Sequence, residues 1–453
     1  MKKTFVLFSS ALFCAIFSLS GADIVRDGKA QVSFVLPEES SLKRIPFLQS
    51  RHAAGEITDY VKKITGADLS SAKDVPGRIC LLAGKDAEKL LSGKKMSPEG
   101  FVISSTEKDI VIASPTMLGV LYGAYTLLEK YAGVRWLFPG EEGEYYPKKA
   151  TLTVPPGEFV SNPSFPERSM SPTGGNSYAG LYGAKKTWQF LSRNKVRFGV
   201  YERSARDPKL LKGDEYLFTL GGYLQPGGHE TFYRSVPDTL LKTHPEYFCL
   251  VNGERLPQHH PTVKMGGCTY AQVCTSQEGV NSLIADFINR TLEHGKEKSY
   301  PTSFLYGAGD NCTTWCHCAT CEKLFDNYAP DRFYYMVNKS AEKVFAKHPD
   351  AKLCSWIYSD FRKLPRRIVP DRRLHYTFCD HGRCYTHELS DPGCAINKAM
   401  LQLMNDWEKL VGPLKVYEYY CVGQPYAPHE VILARDLKYY FARKWSGYHD
   451  EIS

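Results

Sequence analysis

After residue 22 the chain contains no apolar run near the roughly 18 residues that a membrane-crossing helix requires, so no bilayer insertion is expected of that part. It also lacks any block of like charge. The formal net charge is +8, but the cations are scattered, and the pairs Arg366-Arg367 and Arg372-Arg373 flank a proline-bounded turn. They read as a solvated loop, so no nucleic-acid partner is expected. There is no internal repeat and no low-complexity segment, which leaves folded domains as the expectation.

What is present begins with a leader. Lys2-Lys3 precedes an apolar core at residues 5–19, and Ser20-Gly21-Ala22 forms a small-residue cleavage site. This is the pattern of a signal peptide over residues 1–22, with a mature chain starting at Asp23. A secreted or periplasmic bacterial protein is therefore expected. Cys14 lies within the apolar core without a lipobox, so a lipid anchor is not expected. Losing Cys14 leaves an odd number of the 14 cysteines, which implies a free thiol or a metal site in an exported protein. At 453 residues, 43% hydrophobic, the chain is read as two domains with substantial cores. The 29 tyrosines and 23 phenylalanines suit clefts that stack sugar rings, although most of them serve cores.

Residues 23–160 read as a small α/β domain. Strands are predicted at 31–36 and 78–83, a hairpin at 101–105 and 109–113, and helices at 53–65 and 116–132. In the last helix Leu118, Leu121, Tyr125 and Leu128 recur at helical spacing and Gly133 ends it. Pro155-Pro156-Gly157 and Asn162-Pro163 suggest a linker. Over residues 161–453, short apolar strands alternate with helices, as in a parallel α/β fold. The strands are expected at 167–171, 195–201, 271–275, 303–308, 352–358, 374–379, 414–420 and 446–452. Helices are expected at 184–194, 280–294, 333–348, 397–410 and 429–444, with a long excursion at 204–267. Eight such units predict a (β/α)8 TIM-type barrel lacking its last helix.

Three stretches carry a family likeness. LGVLYGAYTLLEKYAGVRWLFPGEEGEYYP resembles the N-terminal α/β domain of family 20 β-hexosaminidases and family 67 α-glucuronidases. GGHETFYRSVP…HPEYFCLVNGERL and GDNCTTWCHCATC resemble the bacterial secreted family called domain of unknown function 4838, which is grouped with glycoside-hydrolase barrels. The resemblance implies a glycan substrate and hydrolysis by carboxylates. In family 20 an Asp-Glu pair ends the fourth strand, the Asp orienting the acetamido group and the Glu acting as general acid. Asp310 matches that Asp, while Asn311 stands in place of the Glu. An amide cannot donate the proton, so the family 20 mechanism would require an acid from another strand, and Asn311 is read as a substrate contact.

Barrel enzymes work at the C-terminal ends of their strands, and glycoside hydrolysis needs two carboxyl groups. Candidate catalytic groups are Asp310 after the fourth strand, Glu418 within the seventh, Asp380 after the sixth and Glu451, beside Asp450, at the end of the eighth. Glu418 interrupts an apolar strand, where burial would raise its pKa or an arginine would pair with it. Arg168 in the first strand, by likeness to family 20, and His229 after Gly227-Gly228 are candidate substrate ligands. His244 reads as a packing residue. Trp315, Trp356, Tyr358 and Tyr420 lie near strand ends as possible stacking platforms.

Cys312, Cys316, Cys318 and Cys321 are closely spaced. Cys274 ends the predicted third strand beside them. The set Cys274, Cys316, Cys318 and Cys321 is read as a structural zinc site or as disulfides; no cofactor is expected for catalysis. Cys379, Cys384 and Cys394 suggest a second local cross-link. The readings are thus a secreted glycoside hydrolase acting on complex or acidic glycans, a non-catalytic glycan-binding protein on a glycosidase barrel, or a metal-dependent hydrolase using His229, His381 and His449.

Overall fold

The computed structural model describes residues 21–172, 181–200, 215–258, 271–310, 314–420 and 429–452. Residues 1–20 of the predicted leader, the two ends of the 204–267 excursion, Asn311 and Cys312 lie outside the described residues.

The chain opens with β1 (Ala22–Arg26), β2 (Val32–Val35) and α1 (Arg44–Thr65). Helix α1 starts earlier than its periodicity suggested, because Ile45 and Phe47 extend the buried stripe of Ala53, Ile57, Tyr60, Val61 and Ile64. It stops at Gly66 in the left-handed conformation, whose amide returns to the Lys62 carbonyl. Then follow β3 (Gly77–Ala83), β4 (Phe101–Ser105), β5 (Ile110–Ser114), α2 (Met117–Leu127), β6 (Leu152–Val154) and β7 (Gly157–Ser161). Thr116 caps α2 by accepting the Gly119 amide. A five-stranded sheet has the order β7-β4-β5-β3-β2. The stretch predicted as a linker is partly strand, since β7 pairs antiparallel with β4 over its whole length.

The second part contains β8 (Glu167–Pro172), α3 (Ala184–Arg193), β9 (Gly199–Val200), β10 (Tyr223–Leu224) and β11 (Gly227–Gly228). A hairpin of β12 (Cys249–Val251) and β13 (Glu254–Leu256) precedes α4 (Glu278–Lys298). The alternation continues with β14 (Phe304–Tyr306), α5 (Ala329–Lys347), β15 (Leu353–Ile357), β16 (His375–Cys379), α6 (Ala395–Val411), β17 (Lys415–Glu418), α7 (Glu430–Ala442) and β18 (Gly447–Ile452).

Seven of these strands form a curled parallel sheet in the order β8-β18-β17-β16-β15-β14-β11. Beyond its edges, β9 pairs parallel with β10, and parallel bridges link Ser169 to Arg197 and Leu224 to Thr302. The predicted strand at 271–275 is not part of this sheet; Val273 makes one antiparallel bridge to Phe248 beside the β12–β13 hairpin. The pairing expected of it comes from β10 and β11, inside the predicted excursion. They are two residues each, separated by Gln225-Pro226, and the second is Gly227-Gly228, so they show no strand-like alternation. The main core fills the space between the sheet and its helices, with Phe304, Tyr306, Tyr334, Phe378, Trp407 and Tyr440 fully buried or nearly so. Among the described residues no helix is long and apolar enough to cross a membrane.

Candidate functional site

Alternate side chains of a curled sheet point to its inside and to its helices. On the inside, at the C-terminal ends of the strands, a connected group lies around Asp310. The Tyr358 hydroxyl donates to Asp310 Oδ1 at 3.1 Å, and His229 Nε2 stands 3.7 Å from the same oxygen. His229 Nδ1 lies 2.9 Å from the Ala308 carbonyl. An Nδ1–H donated there leaves Nε2 as the atom that gains or loses a proton beside Asp310. The His229 ring packs on Trp356 at 4.5 Å, Trp356 meets Tyr417 at 6.4 Å, and Tyr417 meets Tyr419 at 4.9 Å. Tyr417 donates to Glu451 Oε2 at 2.8 Å. An aromatic wall therefore runs from Asp310 to Glu451. Trp356 has room only because Gly307 lacks a side chain: a Cβ there would come within 2.7 Å of both Trp356 and the Gly228 backbone.

Glu418, Asp380 and Tyr420 are elsewhere. Glu418 and Asp380 are wholly buried on the outer face of the sheet, against α7. Arg383 binds Glu418 at 3.0 Å and Asp436 at 2.6 Å, with Asp380 at 3.7 Å. Tyr385 donates to Asp380 and Glu418, each at 3.1 Å, and Tyr440 donates to Glu418. The Tyr420 hydroxyl is taken by Asp436 at 2.6 Å. The expected presentation of Glu418, Asp380 and Tyr420 at the strand ends is thus corrected. The sequence shows a charge in an apolar strand but not the face it points to, and here it points to the helices. Burial, and then the neighbouring Glu418, push the Asp380 carboxyl well above the usual range and Asp450 up to about 8.

Arg168 lies at the start of β8, the end remote from Asp310. It binds Glu99 at 2.6 Å and the carbonyls of Phe165 and Lys195. The expected sugar contact is corrected to a tie between the first sheet's surroundings and β8. A small cleft lies at this same N-terminal end, lined by Glu167, Arg168, Arg197, Tyr223 and Lys352. Its charges are paired: Lys415 and Lys352 both bind Glu167 and, against its burial, hold its carboxyl down to about 2. His449 hydrogen-bonds Ser169 at 2.8 Å inside the sheet, and His381 packs on Tyr419. Among the described residues His229, His381 and His449 do not gather as metal ligands. His244 stacks on Tyr247.

Sequence reasoning missed Asp360, Tyr417 and Tyr419. Asp360 follows β15, is held up in pKa by burial, and accepts from Trp315 Nε1 at 2.6 Å. An acid just past a strand's C-terminal end was the available signal. Tyr417 and Tyr419 alternate with Glu418 and so belong to the inner face.

Cys274, Cys316, Cys318 and Cys321 are buried and bring their sulfurs within 4.8 Å of one another. Cys384, His387 and Cys394 form a second such group, which Cys379 does not join. The Thr386 hydroxyl, then the His387 imidazole, draw the half-exposed Cys384 thiol down to about 6.

The whole arrangement resembles known structures. A chitobiase of Flavobacterium johnsoniae, a family 20 enzyme, aligns over 95% of this chain and 63% of its own, with a TM-score of 0.54 and 13% identity. The chain thus spans less than two thirds of that enzyme. An N-acetyl-β-hexosaminidase of Streptomyces plicatus aligns over 96% of this chain and 82% of its own, with a TM-score of 0.51 and 13% identity. At such identities the likeness is one of fold. No curated protein matches the sequence. The family model described as domain of unknown function DUF4838 matches residues 138–453, and the chain therefore belongs to that family.

Proposed function

We propose that this protein is a secreted or periplasmic glycoside hydrolase acting on complex or acidic glycans, and that Asp310 and Glu451 are its working carboxylates. In this reading residues 1–22 are a signal peptide and residues 23–160 an N-terminal domain like that of family 20 and 67 enzymes. Residues 161–453 are a (β/α)8 barrel whose C-terminal mouth holds the substrate. The observation that carries it is the wall Tyr358–Trp356–Tyr417 between Asp310 and Glu451 on the inner face. Aromatic faces take the CH surface of a sugar while the two carboxylates reach its hydroxyls and the scissile oxygen. His229 and Tyr358 hold Asp310 in place. Asp360, whose carboxyl burial raises and which accepts from Trp315, is a further acid just past β15.

The test is reducing-sugar release from a panel of plant and host glycans by the wild type and by Asp310→Asn and Glu451→Gln. Release that falls at least about 100-fold in both variants, with melting unchanged, is expected for direct acid/base groups. Undiminished release would remove these two residues from the mechanism. One observation favours a second reading, a non-catalytic glycan-binding barrel: Asn311 occupies the place of the family 20 acid. Glycan affinity on an array without any release would establish that reading.

A further inference from the structure

We infer that Cys274, Cys316, Cys318 and Cys321 hold one zinc ion, and that this centre fixes the backbone that presents Asp310. The sulfurs have the spacing of a mononuclear tetrahedral site. With zinc–sulfur bonds of about 2.3 Å, tetrahedral sulfurs stand about 3.8 Å apart. Cys274 Sγ lies 3.7 Å from Cys318 Sγ and 3.6 Å from Cys321 Sγ, and all four sulfurs fall within 4.8 Å. Iron–sulfur cubanes spread their thiolates farther than this. One sulfur, Cys274, is equidistant from two others, which a pairwise disulfide scheme does not require and a shared central ion does.

The surroundings suit a thiolate cluster. Four thiolates and one zinc ion carry a net double negative charge, released protons going to solvent. Arg255 Nη1 lies 3.6 Å from Cys316 Sγ, and the Leu250 amide donates to the same sulfur at 3.3 Å. Ser276 Oγ lies 3.3 Å from Cys274 Sγ and 3.2 Å from Cys321 Sγ. Donors of this kind orient and stabilise metal-bound sulfur.

The centre joins the β12–β13 hairpin, the stretch 271–277 and the loop 314–321. Backbone bonds run from His317 N to Leu250 O, Gln272 N to Thr314 O and Cys274 N to Tyr247 O, at 2.8, 3.1 and 2.8 Å. From this knot the Gln272 side chain clamps Gly309: its Oε1 accepts the Gly309 amide at 3.1 Å and its Nε2 donates to the Gly309 carbonyl at 3.4 Å. Asp310 is the next residue. The catalytic consequence rests on the glycosidase reading above; the metal site does not.

The experiment is elemental analysis of the full chain, with cobalt substitution during growth. Expected are about one zinc per chain and, for the cobalt form, the intense visible bands of tetrahedral thiolate coordination. A mercurial titration should release zinc as these thiols are consumed. Cys274→Ser and Cys318→Ser should each lower zinc content at least about tenfold; where a variant fails to fold, the cobalt spectrum of the wild type still decides. A protein without metal, whose non-reducing peptide map links these four cysteines in pairs, would overturn the inference. Neither readout needs a glycan, so an inactive enzyme with full zinc would defeat the glycosidase reading alone.

Discussion

Glu418 and Glu451 separate two uses of a carboxylate. Glu418 accepts with both oxygens from Arg383, Tyr385 and Tyr440 in a fully buried interface. Glu418→Gln breaks a buried ion pair and leaves Arg383 against fewer charges, so it should cost about 3–5 kcal/mol of stability. Urea unfolding measures that loss; a stability within 1 kcal/mol of wild type, roughly the worth of a surface pair, would show the network to be loose. Glu451→Gln keeps the Tyr417 hydrogen bond and should leave unfolding nearly unchanged, so any activity it loses is chemical. Asp310 stood out in the sequence because it follows a short apolar strand and Gly309. Glu418 was visible as a buried charge, but parity within a strand is fixed by the register with its neighbours, and one sequence does not contain that register.

Among elements, the strands with long apolar runs were readable and the shortest were not. β15 and β16 matched their periodic signal almost residue for residue, since each is buried on both faces. β10 and β11 show no such signal, because Gln225-Pro226 interrupts them and Gly227-Gly228 has no side chains to alternate. The AQVCTS stretch has strand-like composition but is drawn to the cysteine knot. The inner wall has its own narrow tolerance. Gly307→Ala places a methyl within 2.7 Å of Trp356 and of backbone. It should destabilise by about 1–3 kcal/mol, as overpacking does, and shift Trp356 fluorescence. An unchanged melting temperature and emission would mean that the wall yields easily.

For the whole molecule, buried charge sets the response to pH. Asp450 is raised by burial and Glu418 from its ordinary 3.8 to about 8, and Asp380 shifts the same way. Groups raised in the fold contribute stability in full below their unfolded pKa and lose it as pH rises through the folded value. Glu167, held at about 2 by two lysines, contributes above the ordinary carboxylate range and loses that as pH falls. Stability should therefore peak in mildly acidic solution and fall toward pH 8. Asp450→Asn, an uncharged isostere, should flatten the alkaline side of that profile. Parallel profiles for the two proteins would assign the slope to other groups.

β18 lies between β8 and β17, so the sheet's earliest strand pairs with its latest, and Ser169 meets His449 across 280 positions of sequence. During synthesis at about 5–20 residues per second, β8 waits about 15 to 60 s for that partner. Throughout that interval a row of its amides and carbonyls is open to any other extended chain. A nascent protein of this design cannot close its sheet until β18 has been made.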